Sequence, residues 1–227
     1  LKNLVAIIQA RHDSKRFPGK VLKKIKNENL LEILIKRVKK SNYITNIVVA
    51  SSINYNDLKI RKECHNLNVQ FFAGSENNVL ERYYEAAKLF KAKHIVRITA
   101  DCPLLDPKVL DDVIIEHFNK NNDYTTNTMP PTFPDGLDIE IFTFKALKES
   151  LVKSKRNPSL IEHVTTFIRS NSKFKKSNIQ CYEDYSFLRV TVDEKIDFEV
   201  VKEIVNKFPN SYNFGIKEII NLYKKNK

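Results

Sequence analysis

Apolar positions follow two rhythms along the chain. Val5-Ala6-Ile7-Ile8 is a continuous apolar run of strand length that stops at a polar segment. Residues 30–38 then carry Leu30, Leu31, Leu34, Ile35 and Val38 at helical spacing, with lysines on the opposite face. The alternation repeats: an apolar strand at 46–50, a helix at 57–67, a strand at 68–72. A helix at 79–90 follows, with a stripe of Val79, Leu80, Tyr83, Ala86, Ala87 and Phe90, and then a strand at 94–98. Short buried strands alternating with amphipathic helices predict βαβ units with right-handed crossovers and a parallel sheet.

The second half is less regular. A helix is expected at 110–118 and a short strand at 124–127. Residues 137–142 alternate Leu137, Ile139 and Ile141 with Asp138 and Glu140, which predicts a strand with one polar face. Asn157-Pro158 has the residues of a helix start, a capping side chain followed by a proline in the first turn, and the helix is expected to run to Arg169. Residues 188–192 read as a strand ending at Asp193, and helices at 196–208 and 215–224 close the chain. No repeat or linker interrupts this order. The expected architecture is α/β, with residues 1–227 forming a single Rossmann-like three-layer domain around a mostly parallel twisted sheet.

Composition narrows the setting. The chain has 227 residues, 42% hydrophobic and 29% charged, as in an ordinary globular protein. No apolar run reaches membrane-spanning length and no signal peptide is evident, so no membrane insertion and a cytoplasmic location are expected. Cys64, Cys102 and Cys181 have no paired spacing, which favours reduced thiols over disulfides or a zinc site. The net charge is +12, and residues 11–40 hold eleven Lys or Arg against three acids. Such an excess suits small anions, nucleic acid or an acidic surface. Basic tracts interleaved with aromatics are not evident, and nucleic acid is not the expected partner.

The candidate chemistry begins where the first strand ends. Arg11, Lys15, Arg16 and Lys20 crowd a loop whose turn is Pro18-Gly19. In open α/β sheets, loops at the carboxyl ends of strands converge on one crevice. Four cations there suit a polyanion such as a triphosphate, and they equally suit a plain solvated loop. The loop is not a P-loop: Gly19-Lys20 is present, but the spaced glycine is missing and Val21 replaces the magnesium-binding hydroxyl residue. Asp101 and Asp193 stand at the ends of two later strands. Magnesium takes one or two carboxylates plus waters and substrate phosphates, so the pair could hold it. The alternative is that each aspartate caps the next turn, as Asp106 before Pro107 is expected to do.

Several segments together resemble one family. Ala10-Arg11, Ser14, Arg16 and Pro18-Gly19-Lys20 are similar to the opening motif of the sugar-activating cytidylyltransferases, which include the CMP-KDO and CMP-sialic acid synthetases. The pattern is nearest to the spore coat polysaccharide biosynthesis protein F group. Residues 99–107, the segment Pro134-Asp135-Gly136-Leu137-Asp138-Ile139-Glu140, the segment Glu162-His163-Val164-Thr165, and Val190 to Glu194 resemble later motifs of that group. Lys195 stands where the family normally has a proline.

This resemblance implies a nucleotide-diphospho-sugar transferase type of fold and transfer of CMP from CTP to a sugar or sugar-like acceptor. Arg11, Lys20 and Asp101 would be catalytic. Ala10, Arg11, Ser14, Arg16, Gly19, Lys20, Ser51, Gly74, Arg82 and Thr99 would bind the nucleotide. Asp135, Gly136, Asp138, Glu140, Glu162 and His163 would bind the acceptor, with Glu162-His163 on a helix. Asp101 and Asp193 would hold Mg2+, and a homodimer is implied. Alternatives from other classes are a glycosyltransferase using a preformed sugar nucleotide and a basic nucleic-acid-binding module.

Overall fold

The computed structural model of the protein describes residues 3–155, 157–208 and 213–225. The chain starts in strand β1 (Leu4–Gln9), whose side chains are buried on both faces of a sheet. Leu4, Ala6 and Ile8 pack on one side and Val5 and Ile7 on the other. A hairpin of two short strands, β2 (Lys24–Ile25) and β3 (Glu28–Asn29), leads into helix α1 (Leu30–Val38). Strand β4 (Ile47–Ser52), helix α2 (Leu58–Asn66), strand β5 (Gln70–Gly74), helix α3 (Val79–Leu89) and strand β6 (His94–Thr99) follow. The expected alternation is therefore present. β5 starts two residues later than its apolar run, because Asn68 takes a left-handed turn conformation with φ of 50°.

The rest of the chain adds helix α4 (Pro107–Asn119), strands β7 (Tyr124–Thr126) and β8 (Glu140–Thr143), and helix α5 (Phe144–Ser154). Helix α6 (Thr166–Ser170), strand β9 (Lys176–Asn178), and helices α7 (Lys195–Lys207) and α8 (Ile216–Lys225) complete it. The sheet has seven strands in the order β5-β4-β1-β6-β8-β7-β9. β5, β4, β1 and β6 run parallel, and β8 runs against both its neighbours. One face packs on α1, α2, α4, α7 and α8. The other packs on α3, α5 and α6, giving three layers of one α/β domain.

Polar side chains mark where helices begin. Asn29, Asn78 and Thr143 each accept from a backbone N–H in the first turn of α1, α3 and α5. Asp106 does so for α4 ahead of Pro107, as expected. Among the described residues no helix is long and apolar enough to cross a membrane. All three cysteines are free, and Cys64 and Cys102 are buried.

Three expected elements differ. Residues 137–139 do not pair as a strand, because Asn127 donates to the Leu137 carbonyl and accepts from the Ile139 N–H, each at 2.8 Å. β8 is also an interior strand, so the alternating acid at Glu140 is buried rather than on a charged outer edge. Residues 157–169 do not form one helix. A single 3-10 turn covers Pro158–Leu160, and the Ile161 carbonyl then accepts from the Leu80 N–H at the start of α3, at 2.9 Å. That bond diverts a carbonyl that a continuing helix would use. Residues 188–192 form a clasp instead of a strand: Val190 N–H donates to the Asp135 carbonyl and Val192 N–H to the Asp101 carbonyl, both at 2.7 Å, and the pairing of Arg189 with Asp135 is an isolated bridge that does not extend into a ladder.

Candidate active site

The register of β1 against β6 places Gln9 beside Thr99, so the loops leaving both strands emerge together. This is the switch point of the sheet: β4 and β5 build out from one side of β1, and β6 from the other. The loop after β1 is closed by the His12 carbonyl, which accepts from Ser14 N–H at 2.9 Å and Gly19 N–H at 2.8 Å. Gly19 has a φ of +69°, which favours glycine there. The loop is tied to β4 through Asp57, which accepts from His12 N–H at 2.7 Å, Ser51 Oγ at 2.8 Å and Ser52 Oγ at 2.6 Å.

The turn at Gly19 delivers Lys20 inward, where it is only 7% exposed. Its ammonium donates to the Val192 carbonyl at 2.7 Å, Asp193 Oδ1 at 3.0 Å and Asp101 Oδ2 at 3.4 Å. Asp101 and Asp193 therefore do meet, although Asp193 arrives on the clasp and not on a sheet strand. Arg16 adds an ion pair to Asp193 Oδ1 at 2.8 Å. Burial raises the Asp193 carboxyl, but hydrogen bonds from Lys20 and Arg189 and the charges of Lys20 and Arg16 outweigh this and hold it below the usual range. Arg189 was not singled out by sequence. It pairs with Asp135, with Asp193 at 2.8 Å and with Asp197 at 3.2 Å.

A cavity of about 320 Å³ opens over this cluster. Arg11, Ser14, Lys15, Arg16 and Lys20 form its loop wall, and Thr99, Asp101 and Asp193 face them. Gln9 lies at its edge with a buried side-chain oxygen that has no partner among the described residues. A second cavity of about 210 Å³ lies next to it and shares Thr99. Arg97, Thr128, Asp138, Glu140 and Arg169 line the remainder. A larger one, about 610 Å³, sits between the starts of α4 and α8 and shares no lining residue with these two.

The second cavity contains one fixed and one unpartnered carboxylate. Glu140 is buried and accepts from Arg97, from Tyr124 Oη at 2.6 Å and from Thr165 Oγ1 at 2.7 Å. Burial alone would raise its carboxyl, but Arg97, Thr165 and Tyr124 hold it below the ordinary value. Asp138 reaches solvent in the cleft and makes no hydrogen bond or ion pair among the described residues. The crowding of the cleft walls, then the negative charges of Asp135, Glu140 and Asp101, push it up to about 6, against some relief from Arg97.

Other expected site residues fall elsewhere. Ser51 is fully buried and anchors Asp57, so it lines neither cavity. Arg82 is 1% exposed and donates to the Ser75 carbonyl at 2.8 Å behind the β5 loop, which excludes a surface pair. Gly74 lies against its stem. Glu162 and His163 are exposed in a turn, not on a helix, and line neither cavity. The inward residue of that segment is Thr165, which reaches Glu140. Gly136 shapes a turn with a φ of +108°, and Asp135 is held by Arg189. Asp57, Arg97 and Arg189 each join at least one partner more than forty residues away, His12, Glu140 and Asp135 respectively, and no local spacing marks those links.

Among the described residues no group of three or more His, Cys, Asp or Glu forms a metal cluster. The donor set of Asp101 and Asp193 still fits a hard cation that completes its shell with waters and phosphate oxygens. As a whole the geometry offers a cationic wall for phosphates beside a polar pocket for a second substrate.

Comparison with known proteins bears on the family and the fold. The cytidylyltransferase family model matches residues 5–227. An uncharacterized protein of Methanocaldococcus jannaschii is 37% identical over 98% of this chain and 91% of its own length. The spore coat polysaccharide biosynthesis protein SpsF of Bacillus subtilis is 31% identical, over 100% of this chain and 96% of its own. The solved structure of a cytidylyltransferase from Leptospira borgpetersenii superposes with a TM-score of 0.94 at 33% identity, covering 99% of this chain and 94% of that one. The chain belongs to the cytidylyltransferase family.

Proposed function

We propose that the protein transfers CMP from CTP to a sugar or sugar-like acceptor bearing an acidic or phosphate group, releasing pyrophosphate, in the synthesis of a surface polysaccharide or glycan. The observation that carries this reading is the pair of adjoining cavities that share Thr99, one walled by loop cations and the other by polar groups. Arg11, Lys15, Arg16 and Lys20 take the phosphate oxygens of CTP, and charge-assisted bonds of this kind stabilise the negative charge that shifts to the leaving pyrophosphate. The acceptor sits against Arg97, Thr128, Glu140 and Arg169, with its anionic group toward Arg169. Its hydroxyl oxygen attacks the α-phosphorus, the bond to the pyrophosphate oxygen breaks, and Asp138 accepts the hydroxyl proton. Holding the two substrates across Thr99 supplies orientation, and no nucleophilic side chain is needed.

Magnesium belongs to this reading. Asp101 and Asp193 would hold it, and when bound it neutralises phosphate charge. A homodimer is included on family resemblance, and sedimentation velocity measures it. A cytoplasmic location is included because the donor is a nucleoside triphosphate and the thiols are free.

The test is pyrophosphate release from CTP and magnesium with a panel of acidic and phosphorylated sugars, beginning with 3-deoxy-manno-octulosonate. The expected result is pyrophosphate in equal amount to a CMP-linked product. Free CMP without pyrophosphate, or no release with any acceptor, would contradict the reading.

A further inference from the structure

Asp193 is surrounded by cations. Its Oδ1 pairs with Arg16 at 2.8 Å and Lys20 at 3.0 Å, and its Oδ2 pairs with Arg189 at 2.8 Å. Lys20 also reaches Asp101 Oδ2 at 3.4 Å. Two carboxylates thus face three internal positive charges, and both oxygens of Asp193 are already engaged. A bare divalent ion approaching this pair meets repulsion and no free carboxylate oxygen on Asp193.

The three cations are held unequally. Arg189 is fixed by Asp135 and Asp197 as well as by Asp193. Arg16 has a side chain 60% exposed and, among the described residues, pairs only with Asp193. Lys20 is buried, and its ammonium lies in the wall of the phosphate cavity beside Arg16. An entering triphosphate competes with Asp101 and Asp193 for these same two side chains. We propose that Arg16 and Lys20 close the Asp101–Asp193 pair to divalent metal until a triphosphate engages them, so that the metal binds with or after the nucleotide and not before it. Arg189 stays behind and keeps Asp193 aimed at the cavity. This inference rests on the nucleotide reading given above, and it is tested without nucleotide so that the two can fail separately.

The probe is Mn2+ alone, titrated into the whole protein and followed by the electron paramagnetic resonance signal of the free ion. Wild type is compared with Arg16→Met, Lys20→Met, and Arg16→Met combined with Asp193→Asn. Wild type is expected to leave the free-ion signal nearly unchanged. Each single variant should bind Mn2+ about tenfold more tightly or better, the scale of removing one adjacent charge. Adding Asp193→Asn should abolish that gain. Circular dichroism confirms folding, and Arg16→Met, at an exposed side chain, keeps the test intact if Lys20→Met unfolds. Stoichiometric binding of Mn2+ by wild type, or a folded variant that binds no more tightly than wild type, overturns the inference. Failure of the nucleotide reading shows separately, as an unfolding temperature that CTP with magnesium does not raise.

Discussion

Asp138 differs from the other carboxylates of the cleft in having no hydrogen-bond or ion-pair partner among the described residues, and its surroundings set how it should respond to pH. Burial in the cleft, then its acidic neighbours Asp135, Glu140 and Asp101, push its carboxyl up to about 6, with Arg97 opposing. As the proposed proton acceptor Asp138 must be ionised to act, so turnover should fall as pH drops through 6, and Asp138→Asn should remove that limb along with most of the rate. The same shift has a consequence for stability. A carboxyl whose folded value is raised favours the fold while protonated and loses that contribution as pH rises through 6. Asp138→Asn should therefore stabilise the protein at pH 7.5 and leave it nearly unchanged at pH 4, as measured by urea midpoints. Equal midpoint differences at both pH values would contradict this. On the proposed reading, Lys20 and Asp101 would act through charge placed against the phosphates of the nucleotide. Lys20→Ala or Asp101→Asn should lower turnover by about a hundredfold or more, the scale of losing one preorganised electrostatic contact. Steady-state pyrophosphate release on folded variants checks it.

Gly136 decides whether the clasp closes. Its φ is +108°, and an added Cβ would lie 2.5 Å from the Thr191 nitrogen. Gly136→Ala should cost about 1–3 kcal/mol, as for side chains forced into such backbone regions. It should also displace Asp135 and Arg189, and with them Asp193. An unchanged urea midpoint would show that the turn relaxes freely. The elements themselves were legible wherever the chain buries a strand on two faces or a helix on one, because periodicity records that burial directly. β1, α1, α3 and β6 are of this kind. Residues 188–192 misled because a clasp across two loops also alternates apolar and polar residues. The helix expected after Asn157 failed because one carbonyl, that of Ile161, is used by α3. Of the site, the cationic loop and the two aspartates were readable as motifs. The Arg189 bridge, the Arg97–Glu140 pair and the unpartnered Gln9 oxygen were not, since each depends on what the fold brings close.

At the scale of the molecule, the sheet order gathers the polar ends of β1 and β6 with the clasp, and the cations of residues 11–20 line one cavity rather than a broad surface. The central claim is that this cavity binds CTP. The measurement is thermal unfolding with CTP, UTP, ATP and GTP, each with and without magnesium. At a hundred times its dissociation constant a ligand adds about 2.7 kcal/mol, or about 5–10 °C for a chain of this size. A rise of that size with CTP, larger with magnesium and absent with the other three, is the predicted result. No rise with CTP, or an equal rise with all four nucleotides, would contradict the account.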